Sequence, residues 1–122
     1  MIYDKNNIFA KILRGEIPST KIYEDDFCLA FNDINPQSKI HILVIPKGEY
    51  ISFDDFSKKA SLEEFNAFFR AVGKISRDAK ISSSGYRIIS NHGPDSHQEV
   101  PHFHVHILGG RPLGPLLVQS GK

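Results

Sequence analysis

Apolar and polar positions alternate along the chain with two different periods. From Ile8 to Arg14, Ile8, Phe9, Ile12 and Leu13 recur at helical spacing, and Gly15 and Pro18 stop the run. Two strand-like runs follow, Lys21 to Glu24 and Cys28 to Asp33, hinged at Asp25-Asp26. Asn32-Asp33 and Asn35-Pro36 then break the pattern with turn residues. Ile40-His41-Ile42-Leu43-Val44-Ile45 is apolar on both faces, as an interior strand is, and Pro46 and Gly48 end it.

Ser61 and Glu64 have the spacing of a capping box, with Leu62, Phe65, Phe69, Val72 and Ala79 at helical intervals after it. The spacing predicts a helix from Leu62 to about Lys80, closed by Ser82-Ser83-Ser84-Gly85. Tyr86 to Ser90 reads as a strand, 91–101 as a loop and His102 to Leu108 as a last strand closed by Gly109-Gly110. The order is helix, three strands, helix, two strands. Most strand connections are too short for parallel crossovers, so the fold class is α+β with a mainly antiparallel sheet and the long helix across one face.

A length of 122 residues suits one domain spanning 1–122, with a Pro/Gly-punctuated tail from about residue 111. Formal net charge is +1, so bulk electrostatics favour neither nucleic acid nor an anionic membrane, and an anionic ligand needs local donors. The one cysteine, Cys28, lies among apolar neighbours and reads as a buried thiol. The first residues lack the apolar core of a signal peptide, and no stretch approaches the roughly 20 apolar residues of a bilayer span. The cytoplasm is the expected compartment.

The informative segment is His102-Phe103-His104-Val105-His106. On a strand, the three histidines share one face at intervals of about 6.5 Å, while Phe103, Val105 and Ile107 face the core. Three readings compete: histidines without a task, a zinc site of neutral imidazoles, and covalent or acid–base chemistry. The preceding loop, Asn91-His92-Gly93-Pro94-Asp95-Ser96-His97-Gln98, favours the last. It offers amide donors and a glycine that lets backbone approach a phosphate.

His102-Phe103-His104-Val105-His106-Ile107-Leu108 resembles the signature of the histidine-triad superfamily, and its surroundings are similar to the bacterial members of the Hint branch. The similarity runs through Ile8-Phe9-Ala10-Lys11-Ile12, Glu16-Ile17-Pro18, Glu24-Asp25-Asp26, Ala30-Phe31-Asn32-Asp33-Ile34, His41 to Pro46 and Gly109-Gly110-Arg111-Pro112. The resemblance implies a five-stranded antiparallel sheet with two helices, pairing as a homodimer through the long helix and a strand. It implies hydrolysis of nucleoside 5′-phosphoramidates of the AMP or GMP type, with neither a cofactor nor a metal. Dinucleoside polyphosphate hydrolysis, the activity of a neighbouring branch, and nucleotide binding without turnover are the alternatives. The nucleotidyl transferases of a third branch have glutamine at the position of His106, which favours water as the acceptor here.

By the same resemblance, His104 is the nucleophile, His106 donates to a phosphate oxygen, and His102 and His41 support them. Asn91 and Gln98 hold the phosphate, and Asp33 accepts from the ribose hydroxyls. Phe9, Ile12, Phe31, Asn32, Ile34 and Leu43 form the base cleft. On composition alone, His41 reads equally as a core histidine, Asp33 as a turn former and the apolar set as core. Glu99 stands where eukaryotic Hint proteins have a serine that helps the leaving group. It is expected beside the phosphate site facing a cationic leaving amine, although strand alternation would turn it away from the histidines. The apolar segment Arg111 to Leu117 is either a flexible end or, as in related dimers, a reach toward the partner's site.

Overall fold

The computed structural model describes residues 2–118. Helix α1 (Ile8–Leu13) is followed by β1 (Lys21–Glu24), β2 (Cys28–Asn32) and β3 (Ile40–Pro46), then α2 (Phe53–Lys59), α3 (Leu62–Asp78), β4 (Tyr86–Ile89) and β5 (Val105–Gly109). The five strands form one sheet in the order β1-β2-β3-β5-β4, and every neighbouring pair is antiparallel. The doubly apolar β3 is its central strand.

Strand alternation divides the sheet into two faces. Cys28, Ala30, Ile42, Val44, Val105 and Ile107 pack beneath α3 with Phe68, Ala71, Val72 and Ile75. Leu29, Phe31, Leu43 and Ile45 turn to the opposite face, where Phe9 and Ile12 of α1 cover them. The α3 core stripe is therefore centred on 68/71/72/75. Phe65, Phe69 and Ala79 flank it, and Leu62 is 77% exposed at the N-terminus. The capping box forms as expected, with Glu64 N–H on Ser61 Oγ and Ser61 N–H on Glu64 Oε1, both at 3.0 Å. Cys28 is fully buried, and burial pushes its thiol up to about 12, so it is inert.

Two expectations are corrected. The described residues form three α-helices, not two: α2 is not legible because only Phe53 and Phe56 break a polar run, too few to show a period. Its signature is instead local and polar. Asp54 and Asp55 occupy the first turn, Lys58 and Lys59 the last, and the pairs Asp54–Lys58 (3.2 Å) and Asp55–Lys59 (2.8 Å) lie at i,i+4. Phe56 anchors the helix, stacked between Phe65 and Phe103 at centroid distances of 5.5 and 4.7 Å. The last strand also begins at Val105, not His102. The β3–β5 register sets Val44 opposite Val105, so its continuation would face Phe103 with Pro46, which has no N–H. Phe103 N–H goes to Tyr50 O instead, at 2.7 Å.

Among the described residues, no helix is long and apolar enough to cross a membrane.

Candidate active site

His102 and His104 precede the ladder and His106 lies within it, yet the alternation predicted from the sequence persists. Phe103, Val105 and Ile107 enter the α3 core, while Phe9 of α1 meets the His102 and His104 rings from the other face. The Phe9–His104 contact is edge-on at 4.9 Å, and the His104 and His106 rings are 5.1 Å apart. His41, on neighbouring β3, completes the cluster from 65 residues away.

Fixed backbone groups determine where each imidazole proton sits. Pro46 O can only accept, so His102 carries its proton on Nε2 (2.9 Å), and Tyr3 Oη–H donates to His102 Nδ1. His102 O can only accept, so His104 carries its proton on Nδ1 (2.7 Å) and its Nε2 bears the free lone pair. Gln37 N–H can only donate, so His41 Nδ1 is bare (2.9 Å) and its proton is on Nε2. That proton goes to His106 Nδ1 at 2.9 Å, which leaves His106 with an Nε2–H. Two adjacent rings thus offer opposite groups, a lone pair on His104 and a donor on His106.

All four rings are neutral at neutral pH because burial disfavours the cation. Burial holds His102 down to about 4 against a partial counter-effect of the Pro46 carbonyl. It likewise holds His106 at about 4, helped by His104 and His41. His104 and His41 are lowered by burial, with Asp33 opposing the shift in each.

Phe9, Ile12, Phe31 and Leu43 are brought together in the α1-side cluster, whereas Asn32 is exposed and Ile34 is 86% exposed at the loop after β2. Asp33 accepts Asn35 N–H at 2.8 Å, the turn-forming contact, and its other oxygen lies 3.4 Å from His41 Nε2. Gln98 spends both amide hydrogens on Ile51 O (2.7 Å) and Val100 O (3.0 Å) and accepts Gly93 N–H, tying the loop before the histidines. Asn91 is half-buried, and Glu99 is exposed with its carboxylate 3.9 Å from His97 Nε2.

Sequence reasoning missed Tyr3, Gln37 and Pro46, which set the tautomers. Pro46 carries only the local signal of a strand stop, and nothing local marks Tyr3, 99 residues from its partner.

The HIT domain family model matches residues 14–113. The chain belongs to the HIT domain family. It is 42% identical over 117 residues to the purine nucleoside phosphoramidase of Escherichia coli, covering 96% of this chain and 98% of that one. It is 43% identical over 114 residues to a 14 kDa zinc-binding protein of Zea mays, covering 90% and 86%. A histidine triad protein from Clostridium difficile superposes with a TM-score of 0.81 at 43% identity, covering 93% of this chain and 98% of that one. The HIT family contains hydrolases.

Proposed function

We propose that this HIT protein hydrolyses the P–N bond of purine nucleoside 5′-phosphoramidates through a nucleotidyl-His104 intermediate. The observation that carries the reading is the bond from His104 Nδ1–H to His102 O, which leaves Nε2 as the lone-pair nitrogen of a neutral ring. Nε2 attacks the α-phosphorus, a P–Nε2 bond forms, the P–N bond to the amine breaks, and the amine departs with a proton from water. A second water then attacks phosphorus and the P–Nε2 bond breaks. Nucleoside monophosphate leaves, a proton goes to solvent, and His104 returns neutral. Covalent catalysis divides one difficult displacement into two easier ones.

His106 Nε2–H donates to a phosphate oxygen as charge builds there, the kind of donor that is worth most in the transition state. His102 and His41 act behind these two rings. Asn91 supplies a phosphate contact; Gln98 would have to surrender a loop carbonyl to do so, and its present bonds support a loop-shaping role. Asp33 accepts from the ribose, and Phe9, Ile12, Phe31 and Leu43 wall the base site, with Asn32 and Ile34 at its rim. Glu99 faces the leaving amine. One domain, working in the cytoplasm, carries the activity without a cofactor.

A homodimer belongs to the same reading. β4 is an edge strand whose Tyr86 and Ile88 are half-exposed, next to an apolar hollow of about 310 Å³ lined by Phe53, Phe69, Ile88 and Val105. A second copy would pair with this edge and cover the hollow, as sedimentation would show. Replacing His104 with alanine is expected to abolish hydrolysis of AMP–amine conjugates while nucleotide binding persists. Undiminished turnover would refute the assignment, and faster cleavage of dinucleoside polyphosphates by the wild type would move the substrate to that class.

One observation favours a second reading. An Asp33 oxygen and nitrogens of His41 and His106 lie within 4.8 Å of one another, a donor set that suits zinc. The Nε2–H of His41 occupies that space as a hydrogen bond, which accounts for the closeness without an ion. Activity in a preparation stripped of metal eliminates the zinc reading.

A further inference from the structure

The donor group on His106 depends on His41, and His41 depends on one peptide N–H, that of Gln37 in the loop 33–39. Proton placement in the whole chain Gln37–His41–His106 therefore rests on how that loop is held. Within the hairpin, Asp33 N–H bonds His41 O at 3.0 Å and Ser38 Oγ–H bonds Ile40 O. Among the described residues, the one hydrogen bond onto the loop from outside the β2–β3 hairpin comes from Arg111. Its Nη2 donates to Gln37 O at 3.0 Å, while Nη1 donates to Pro112 O at 2.9 Å.

The backbone is built to deliver this guanidinium. β5 ends at Gly109 opposite Ile40, and the chain must then cross the start of β3 at close range. Gly110 has φ +89°, and a Cβ there would lie 3.0 Å from Lys39 Cβ and 3.2 Å from Ile40 Cγ1. A side chain at 110 would be both strained and crowded. The glycine pair at the end of β5 thus lets Arg111 lie over the loop.

We propose that Arg111 is a positioning residue: through the Gln37 carbonyl it holds the Gln37 N–H on His41 Nδ1, and so makes His106 present Nε2–H to the substrate. The role at the substrate rests on the hydrolase reading above; the proton placement does not. Without Arg111, the loop turns Gln37 N–H away, and a proton can occupy His41 Nδ1. His41 Nε2 then accepts from His106 Nδ1–H, and His106 Nε2 becomes a lone pair that repels a phosphate oxygen. The guanidinium acts through two hydrogen bonds without touching the reacting atoms.

The test replaces Arg111 with methionine, which keeps the apolar stem and removes the donors. Long-range proton–nitrogen NMR of ¹⁵N-histidine-labelled, substrate-free protein reads the tautomers directly. The wild type is expected to show His41 and His106 protonated at Nε2 alone, and Arg111→Met a mixture of tautomers at both. kcat on an AMP–amine conjugate should fall about 10-fold to 100-fold with a smaller change in KM. Arg111→Lys, a cationic donor of similar reach, should restore the wild-type pattern. If Arg111→Met does not fold, Arg111→Gln, too short to reach Gln37 O, carries the same expectation. Unchanged tautomers in a folded variant overturn the proposal. A wild type with the expected tautomers that hydrolyses no phosphoramidate overturns the hydrolase reading alone.

Discussion

Acid should destabilise the protein through His102 by an amount the structure sets. Its ring is fully buried between Tyr3 and Pro46, and burial holds it down to about 4 against an ordinary 6.5. As pH falls below 6.5, the unfolded chain takes up a proton that the folded one refuses. The stability from the neutral ring is therefore full above about pH 6.5 and drains away as the pH drops toward 4. At pH 5 the loss for this one residue amounts to roughly 2 kcal/mol relative to pH 8. The clean perturbation is His102→Gln, since an amide can donate to Pro46 O and accept from Tyr3 without titrating. Urea unfolding of both proteins at pH 8 and pH 5 supplies the comparison. Carboxylates common to the two cancel, so the wild type should lose about 2 kcal/mol more than the variant. Equal losses would mean that His102 accepts a proton in the folded state, and the neutral-ring argument would fall with it.

Other expectations follow from the same contacts. Phe56→Ala empties the site between Phe65 and Phe103 and should cost about 3–5 kcal/mol in chemical denaturation. A loss below 1 kcal/mol would show that α2 does not depend on that anchor. Gln98→Ala should lower stability by about 1–3 kcal/mol, because it strands Ile51 O, Val100 O and Gly93 N–H. A 10-fold to 10³-fold loss of turnover at unchanged stability would instead make Gln98 a direct phosphate ligand. Glu99→Ser should reduce the preference for cationic over neutral leaving amines, and identical ratios in the two proteins would remove Glu99 from the leaving-group site.

The sheet was legible where a period was. β3 announced itself by apolar residues on both faces, α3 by its capping box, and the histidine face by alternation with Phe103, Val105 and Ile107. The α2 helix was hidden because its two phenylalanines are too sparse to form a stripe, and its charge pairs resemble an ordinary polar connection. The start of β5 was misplaced because the reason lies on another strand, in a proline without an N–H. For the site, the chain order named the histidines but not their protons. Those of His102, His41 and His106 depend on Tyr3, Gln37 and Pro46, whose only marks are their positions after folding. The lone pair on His104 is thus set by a carbonyl two residues away, whereas the donor on His106 is a property of tertiary contacts through His41 and Gln37.

Rapid-quench mass spectrometry during turnover of an AMP–amine conjugate reaches the proposed chemistry most directly. The wild type should accumulate a nucleoside monophosphate adduct on the peptide containing His104, attached at Nε2, and His104→Ala should form none. Full turnover with no adduct, or an adduct on another histidine, would contradict the assignment of His104 as the nucleophile.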